Sequence, residues 1–271
     1  MDKNKSVYKL KNLPPIYYIN LDDQTERNRY MEEQFNYWEI NQHTRISAYD
    51  GRDSDLSEIL KGTYPENMTS GEIGCTCSHL KAIKYWYETS DSPYALFMED
   101  DIDISIARFW NFTFSDFIAR APYAWDCIQL AIISTGDINV SIHTRFINSF
   151  STACYILTRR YAKKLIDLHV RGENLYRLDN GVKPRATADD LIYNAGVTYA
   201  CPLFLYKIEL GSSIHPEHLE AFHKNSYDGI YNFWSQAGAR LTLEQITDYN
   251  PYLGRISVPS GQVAQETPLS P

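Results

Sequence analysis

No run in this 271-residue chain approaches the ~20 consecutive apolar residues of a membrane span, which argues against an integral membrane segment. The opening Met1-Asp-Lys-Asn-Lys-Ser6 lacks the apolar core of a signal peptide, so synthesis and residence in the cytoplasm are expected. Positive charge is also scarce. Twenty-six Lys and Arg face 34 Asp and Glu, for a formal net charge of -8, whereas nucleic-acid binders carry a basic face; no nucleic-acid partner is expected. There is no Gly-x-x-x-x-Gly-Lys-Ser/Thr phosphate loop, no clear internal repeat, and no pair-and-pair cysteine spacing of a structural zinc site. Cys127, Cys154 and Cys201 sit in strand-like runs where a thiol behaves as a small hydrophobe. Cys75 and Cys77 are one residue apart and would fit a zinc site only with other ligands, so reduced thiols and no zinc are expected.

What is present is ordinary globular material with a heavy aromatic load. Hydrophobic residues make up 44% and charged residues 22%, enough to bury the core of one α/β domain. The 21 Tyr and 5 Trp could stack on sugars or bases, but most belong in the core or at its edge.

The most informative segment is Tyr94-Ala-Leu-Phe-Met-Glu-Asp-Asp-Ile-Asp103, in which an apolar run opens onto Glu99, Asp100, Asp101 and Asp103. Such a run suits a buried parallel strand, and open α/β sheets bind ligands at the carboxyl ends of their strands. Closely spaced carboxylates repel one another. A hard divalent cation relieves that repulsion and bridges carboxylates to a diphosphate. Asp101 is the leading metal ligand, Asp103 a rival, and Glu99 or Asp100 face the ribose or hold loop groups.

Around this segment, strands and helices alternate. Pro15–Leu21 reads as a first strand, followed by a helix through about Trp38 that Asp22 or Thr25 would cap. Thr44–Tyr49 reads as a strand ending in Asp50-Gly51, and a polar connection with a weak helical patch at Leu56–Leu60 follows. Thr69-Ser-Gly-Glu72 has capping-box spacing and starts a helix to about Tyr87, with Ile73, Cys77, Leu80, Lys84 and Tyr87 on the core face. Glu72 and His79 lie seven apart on one flank.

Strands are expected at Asp126–Ile133 and Thr152–Thr158, with a hairpin or flexible excursion between them. Arg159–Val170 reads as a helix stopped by Gly172. Asp189-Asp190 opens a helical turn, and Val197–Tyr206 is a last strand interrupted at Pro202. The polar, proline-bearing stretch 256–271 reads as a flexible tail.

Four blocks in order carry a family resemblance: Tyr18-Ile-Asn-Leu-x5-Arg27, Ala48-Tyr-Asp-Gly51, Gly71-Glu-Ile-Gly-Cys-Thr-Cys-Ser-His79 and Leu96-Phe-Met-Glu-Asp-Asp101. Ala153-Cys-Tyr-Ile-Leu, Tyr161-Ala-Lys-Lys-Leu165 and Asp189-Asp-Leu extend it over about residues 14 to 215. Together they resemble glycosyltransferase family 25, the group containing lipopolysaccharide and collagen galactosyltransferases.

The resemblance implies a GT-A-like nucleotide-diphosphosugar transferase fold, α/β, with a mixed, mostly parallel central sheet flanked by helices. It implies one catalytic domain over 1–255, with a nucleotide-sugar and metal half at about 14–110 and an acceptor half at about 111–255. It also implies inverting transfer from a UDP-sugar, often UDP-galactose, with Mn2+ or Mg2+, to a glycan or glycoconjugate acceptor. A lipid-linked acceptor would make the protein peripheral to a membrane.

On this pattern Asn20, Arg27, Asp50, Glu72, His79, Glu99 and Asp100 belong to the donor site, Asp101, Asp103 and His215 to the metal, and Asp190 or Asp189 is the base, with Asp190 preferred. Each has a structural alternative. Arg27 could be a helix-surface ion pair, Asp189-Asp190 a pair favoured by the helix dipole, and His215 an exposed loop histidine. A structural hydrogen bond is the favoured role for His79. The family pattern usually reads Asp-x-Asp where this chain has Glu99-Asp-Asp101. Two other function classes compete: a metal-dependent nucleotidyltransferase or phosphohydrolase, and a non-catalytic sugar-nucleotide or glycan-binding module.

Overall fold

A computed structural model describes residues 6–52, 55–62, 67–178, 187–211, 214, 218, 222–248 and 255–256. A seven-stranded sheet forms its centre: β1 (Ile16–Asn20), β2 (His43–Ser47), β3 (Tyr94–Glu99), β4 (Cys127–Gln129), β5 (His143–Thr144), β6 (Cys154–Thr158) and β7 (Thr198–Ala200). The spatial order is β2-β1-β3-β6-β4-β7-β5. Pairings β1–β2, β1–β3 and β4–β7 are parallel; β6 runs antiparallel to both β3 and β4, and β5 to β7. Five strands therefore point one way and two the other, giving the mixed, mostly parallel α/β sheet expected.

Both faces of the sheet are covered, which explains the unbroken apolar runs. Successive residues of a strand face opposite sides. Leu96 and Met98 of β3 join one cluster, with Phe35 of α1 (Thr25–Trp38), Phe114 and Phe117 of α3 (Phe114–Ala119) and Trp234 of α6 (Lys224–Ala237). Ala95 and Phe97 join the opposite cluster, with Ile83 and Trp86 of α2 (Ser70–Thr89), Leu165 of α4 (Arg159–His169) and Ile192 of α5 (Ala188–Asn194). Phe97 stacks between Tyr17 and Tyr155, so part of the aromatic load is spent on the sheet's interior.

Local details depart from the sequence reading. Neither Asp22 nor Thr25 caps α1: Gln24 is the N-cap without a side-chain bond, and Asp22 instead accepts from Arg45 and Ser47 of β2. Gly172 does not close α4, which ends at His169 when Val170 turns extended and bridges to Tyr176. The excursion after β4 is ordered into short pairs, with Ile133–Ser134 on Ser149–Phe150 and His143–Thr144 entering the main sheet as β5.

Val197–Tyr206 is two strands. Leu205–Tyr206 leaves the sheet at Pro202 and pairs with Ile102–Asp103. Ile256 pairs with Ile138, while 257–271 lies outside the described residues. No helix among the described residues is long and apolar enough to cross a membrane.

Candidate active site

The chain passes from β1 outward to β2, then returns to lay β3 on the other side of β1. That reversal places a crevice between the carboxyl ends of β1 and β3, where open α/β sheets bind ligands. Asn20 ends β1 and Glu99 ends β3. The two ends are tied together: Asn20 Nδ2 donates to Asp100 Oδ2 over 2.7 Å, while Arg45 Nε donates to Asn20 Oδ1 over 2.7 Å. A cleft of about 690 Å³, counted with its open mouth, sits here and is lined by Asn20, Arg27, Asp50, His79, Glu99 and Asp100 together with Cys75.

Arg27 is a clamp rather than a helix-surface pair. Its Nε donates to Asp100 Oδ1 at 2.7 Å and its Nη2 to Asp101 Oδ2 at 2.8 Å, with the guanidinium side chain only 12% exposed. Both oxygens of Asp100 are thereby engaged. Asp101 is not satisfied: its Oδ1 is buried with no hydrogen-bond partner. Burial pushes the Asp101 carboxyl up to about 7 against the pull of Arg27, with Glu99 and Asp100 adding to the rise. The same desolvation raises Asp100.

On the other side of β3, Glu99 meets the helices. Its Oε1 accepts from Thr152 Oγ1 at 2.9 Å and lies 3.4 Å from His79 Nε2. Burial opposes ionisation of Glu99, but His79, Thr152 and Arg27 together hold its carboxyl below the usual range. Thr152 follows Ser151, a non-glycine residue at φ 94° whose carbonyl accepts from Gln129 Nε2 and Tyr193 Oη. Strain held in place by such bonds fixes the chain where Thr152 turns to Glu99.

Asp189, in the first turn of α5, has a buried Oδ1 without a hydrogen bond, 3.9 Å from Arg145 Nη2. Burial raises its carboxyl to about 6; Arg145 lowers it and the charges of Glu99 and Asp190 raise it further.

Other expected residues lie apart. Asp103 points elsewhere: it caps the 3-10 turn Ile104–Phe109 by accepting from Ser105 N at 2.8 Å, and it lines a different cleft with Tyr30 and Tyr227. That separation follows from the strand geometry, since β3 stops at Glu99 and Ile102–Asp103 starts a new pairing. Asp190 accepts from Asn194 Nδ2 on its own helix. Glu72 is buried as the capping partner of Thr69. Asp50 sits at the rim beside Arg52, which draws its carboxyl below the ordinary range. His215 lies outside the described residues.

Arg45, Thr152 and Arg145 are absent from the site expected from sequence, and Cys75 stands there only as a thiol that would need other ligands. For Cys75 a signal existed, because Cys75 and His79 are four apart on one helix and share a face. For the other three none did, since sheet pairing and loop closure bring them in.

A crevice at a sheet reversal, floored by carboxylates and walled by cationic side chains, has the form of an α/β site for an anionic ligand. The chain belongs to glycosyltransferase family 25, described as an LPS biosynthesis protein family, whose model matches residues 13–174. No curated protein matches it significantly. Among solved structures, HddC from Yersinia pseudotuberculosis complexed with GMP-PN is 11% identical, covering 78% of this chain and 99% of that one, at a TM-score of 0.34. Another HddC crystal structure from the same organism is 10% identical, covering 72% and 93%, at 0.33. Likeness this remote carries no argument about the site.

Proposed function

We propose that this glycosyltransferase moves galactose from UDP-galactose to a hydroxyl of a glycan or glycoconjugate, with inversion and with a divalent ion such as Mn2+ or Mg2+. The observation that carries the reading is Asp101 Oδ1, a buried carboxylate oxygen with no partner at the end of β3. A hard oxygen donor of this kind suits such an ion, which is commonly held by one or two carboxylates plus substrate phosphates. Asp101 would hold it, and the bound ion would neutralise charge on the departing diphosphate. The choice of galactose rests on the resemblance to galactosyltransferases, and the acceptor class on the family's link to LPS biosynthesis.

The chain's own groups do the rest. Arg27 holds Asp101 and Asp100 in register, and Asn20 with Arg45 fixes Asp100. Asp189 is the better base than Asp190. Its orphaned Oδ1 can take the acceptor proton, and a carboxyl near 6 is ionised yet basic at neutral pH, whereas Asp190 is engaged by Asn194. Attack opposite the departing UDP inverts the anomeric carbon. Residues 14–110 supply the donor half and 111–255 the acceptor half of a GT-A-like domain acting in the cytoplasm, at a membrane surface where the acceptor is lipid-linked.

The test is release of UDP from UDP-galactose with an added glycan acceptor, with Mn2+ and with excess chelator. Ion-dependent UDP release accompanied by glycosylated product is expected. Full turnover in chelator would contradict the metal, and release of galactose 1-phosphate in place of UDP would favour nucleotidyl transfer or phosphohydrolysis.

A further inference from the structure

We propose that Cys75, His79 and Glu99 form a binding site for a borderline-soft divalent transition metal, zinc by preference, on the floor of the cleft. Their donor atoms, one thiol, one imidazole nitrogen and one carboxylate oxygen, all lie within 4.8 Å of one another. Helix α2 presents Cys75 and His79 four residues apart on one face, and the end of β3 brings Glu99 up to them.

His79 supplies the second observation. Its side chain is fully buried, and Nε2 has no hydrogen-bond partner although it lies 3.4 Å from Glu99 Oε1. Its other nitrogen, Nδ1, is 2.9 Å from the Tyr155 hydroxyl, the outer contact that fixes a ligating imidazole and leaves Nε2 free to coordinate.

Zinc bond lengths to S, N and O imply donor-to-donor edges of about 3.3 to 3.6 Å in a tetrahedron. The His79–Glu99 separation already matches, and the thiol lies within 4.8 Å of both. With three protein ligands the fourth position opens to the cleft for water or a substrate oxygen, as in catalytic rather than structural zinc sites. Mixed S, N and O donors favour zinc over manganese, which separates this site from the oxygen donor of Asp101. Binding replaces the Cys75 S–H bond by an S–metal bond and releases that proton to solvent, with no change of oxidation state.

The site does not depend on the donor or reaction proposed above, and its test uses no sugar. Full-length protein stripped with chelator is titrated with Co2+. One equivalent should produce tetrahedral visible bands and a thiolate-to-cobalt charge-transfer band, displaced by Zn2+ but not by Mn2+. The charge-transfer band should vanish in Cys75→Ser, the visible bands should weaken in His79→Gln, and both should persist in Asp101→Asn. A weak octahedral spectrum, or a charge-transfer band that survives Cys75→Ser, overturns the proposal.

Because a variant in this buried region could fail to fold, the parent protein provides a second reading. Cys75 is half-buried while the other four cysteines are buried. Zn2+ should slow alkylation of Cys75, mapped by peptide mass, at least tenfold. Equal rates with and without Zn2+ overturn the proposal.

Discussion

Asp189 and Arg27 are two charged side chains held largely out of solvent beside the crevice. Burial lifts the Asp189 carboxyl from 3.8 to about 6. A carboxyl raised in the fold stabilises it fully at pH below the unfolded value, and that contribution is lost as pH rises through the folded one. Two units at 1.36 kcal/mol each set a ceiling of about 3 kcal/mol on the loss between pH 4 and 8. Asp189→Asn should therefore gain stability relative to the parent as pH rises over that window, read by urea unfolding; a pH-independent difference would contradict it.

The same variant should lose about 10²- to 10⁴-fold in transfer rate with donor affinity unchanged, and parent activity should fall below about pH 6 as the base protonates. Equal transfer by Asp189→Asn and parent would remove the base from this residue. Arg27 faces two buried carboxylates, and taking away one partner of a buried ion pair costs about 3–5 kcal/mol. Arg27→Met should show a loss of that order at pH 8 and a smaller one at pH 5, below the value of about 7 to which burial lifts Asp101. An equal loss at both pH values would mean the clamp is not electrostatic.

At the scale of elements, the N-terminal half of α2 and the loop after β2 build one wall of the cleft. A Cβ on Gly51 would lie 1.9 Å from the Ser70 carbonyl oxygen, and one on Gly74 would lie 2.7 Å from that of Tyr49, so backbone meets backbone. Tyr49 N donates to Ser78 Oγ at 2.8 Å and completes the seam. Gly51→Ala should cost about 1–3 kcal/mol through overpacking and weaken donor binding at least tenfold, because the loop carrying Asp50 and Arg52 must move. Thr69→Ala removes the capping bond from Glu72 N and should cost about 1 kcal/mol while leaving donor affinity unchanged. Unfolding and donor titrations on the two variants check both; identical donor affinities would take the seam out of the site.

This level was largely readable from sequence. The Thr69-x-x-Glu72 box forms as its spacing predicts, and α1, α2, α4, β1 and β3 fall within a few residues of their expected bounds. What pattern could not show was the direction of carboxylates after a strand's end: Asp103 follows Asp101 by two residues, yet a new pairing with Leu205 turns it to another cleft. The tight seam at Gly51 and Gly74 was equally hidden, because a glycine in a motif does not announce which backbone approaches it.

Across the whole molecule, sheet order decides which residues meet. Local periodicity predicts strands but not their neighbours, so the crevice between β1 and β3 and the approach of Asp189 to Glu99 come from topology. The antiparallel strand β6 contributes through its approach, since the Ala153 carbonyl just before it accepts from Glu99 N and Thr152 is carried to the Glu99 carboxylate. As proposed above, this crevice would hold a sugar nucleotide through an ion on Asp101. Thermal unfolding with UDP-galactose reads that binding without an acceptor, because a ligand at 100 times its Kd stabilises the native state by about 2.7 kcal/mol. At roughly 2–4 °C per kcal/mol for a chain of this order of size, a rise of about 5–10 °C is expected that requires Mn2+ and is absent in Asp101→Asn. An undiminished rise in excess chelator, or in Asp101→Asn, would contradict it.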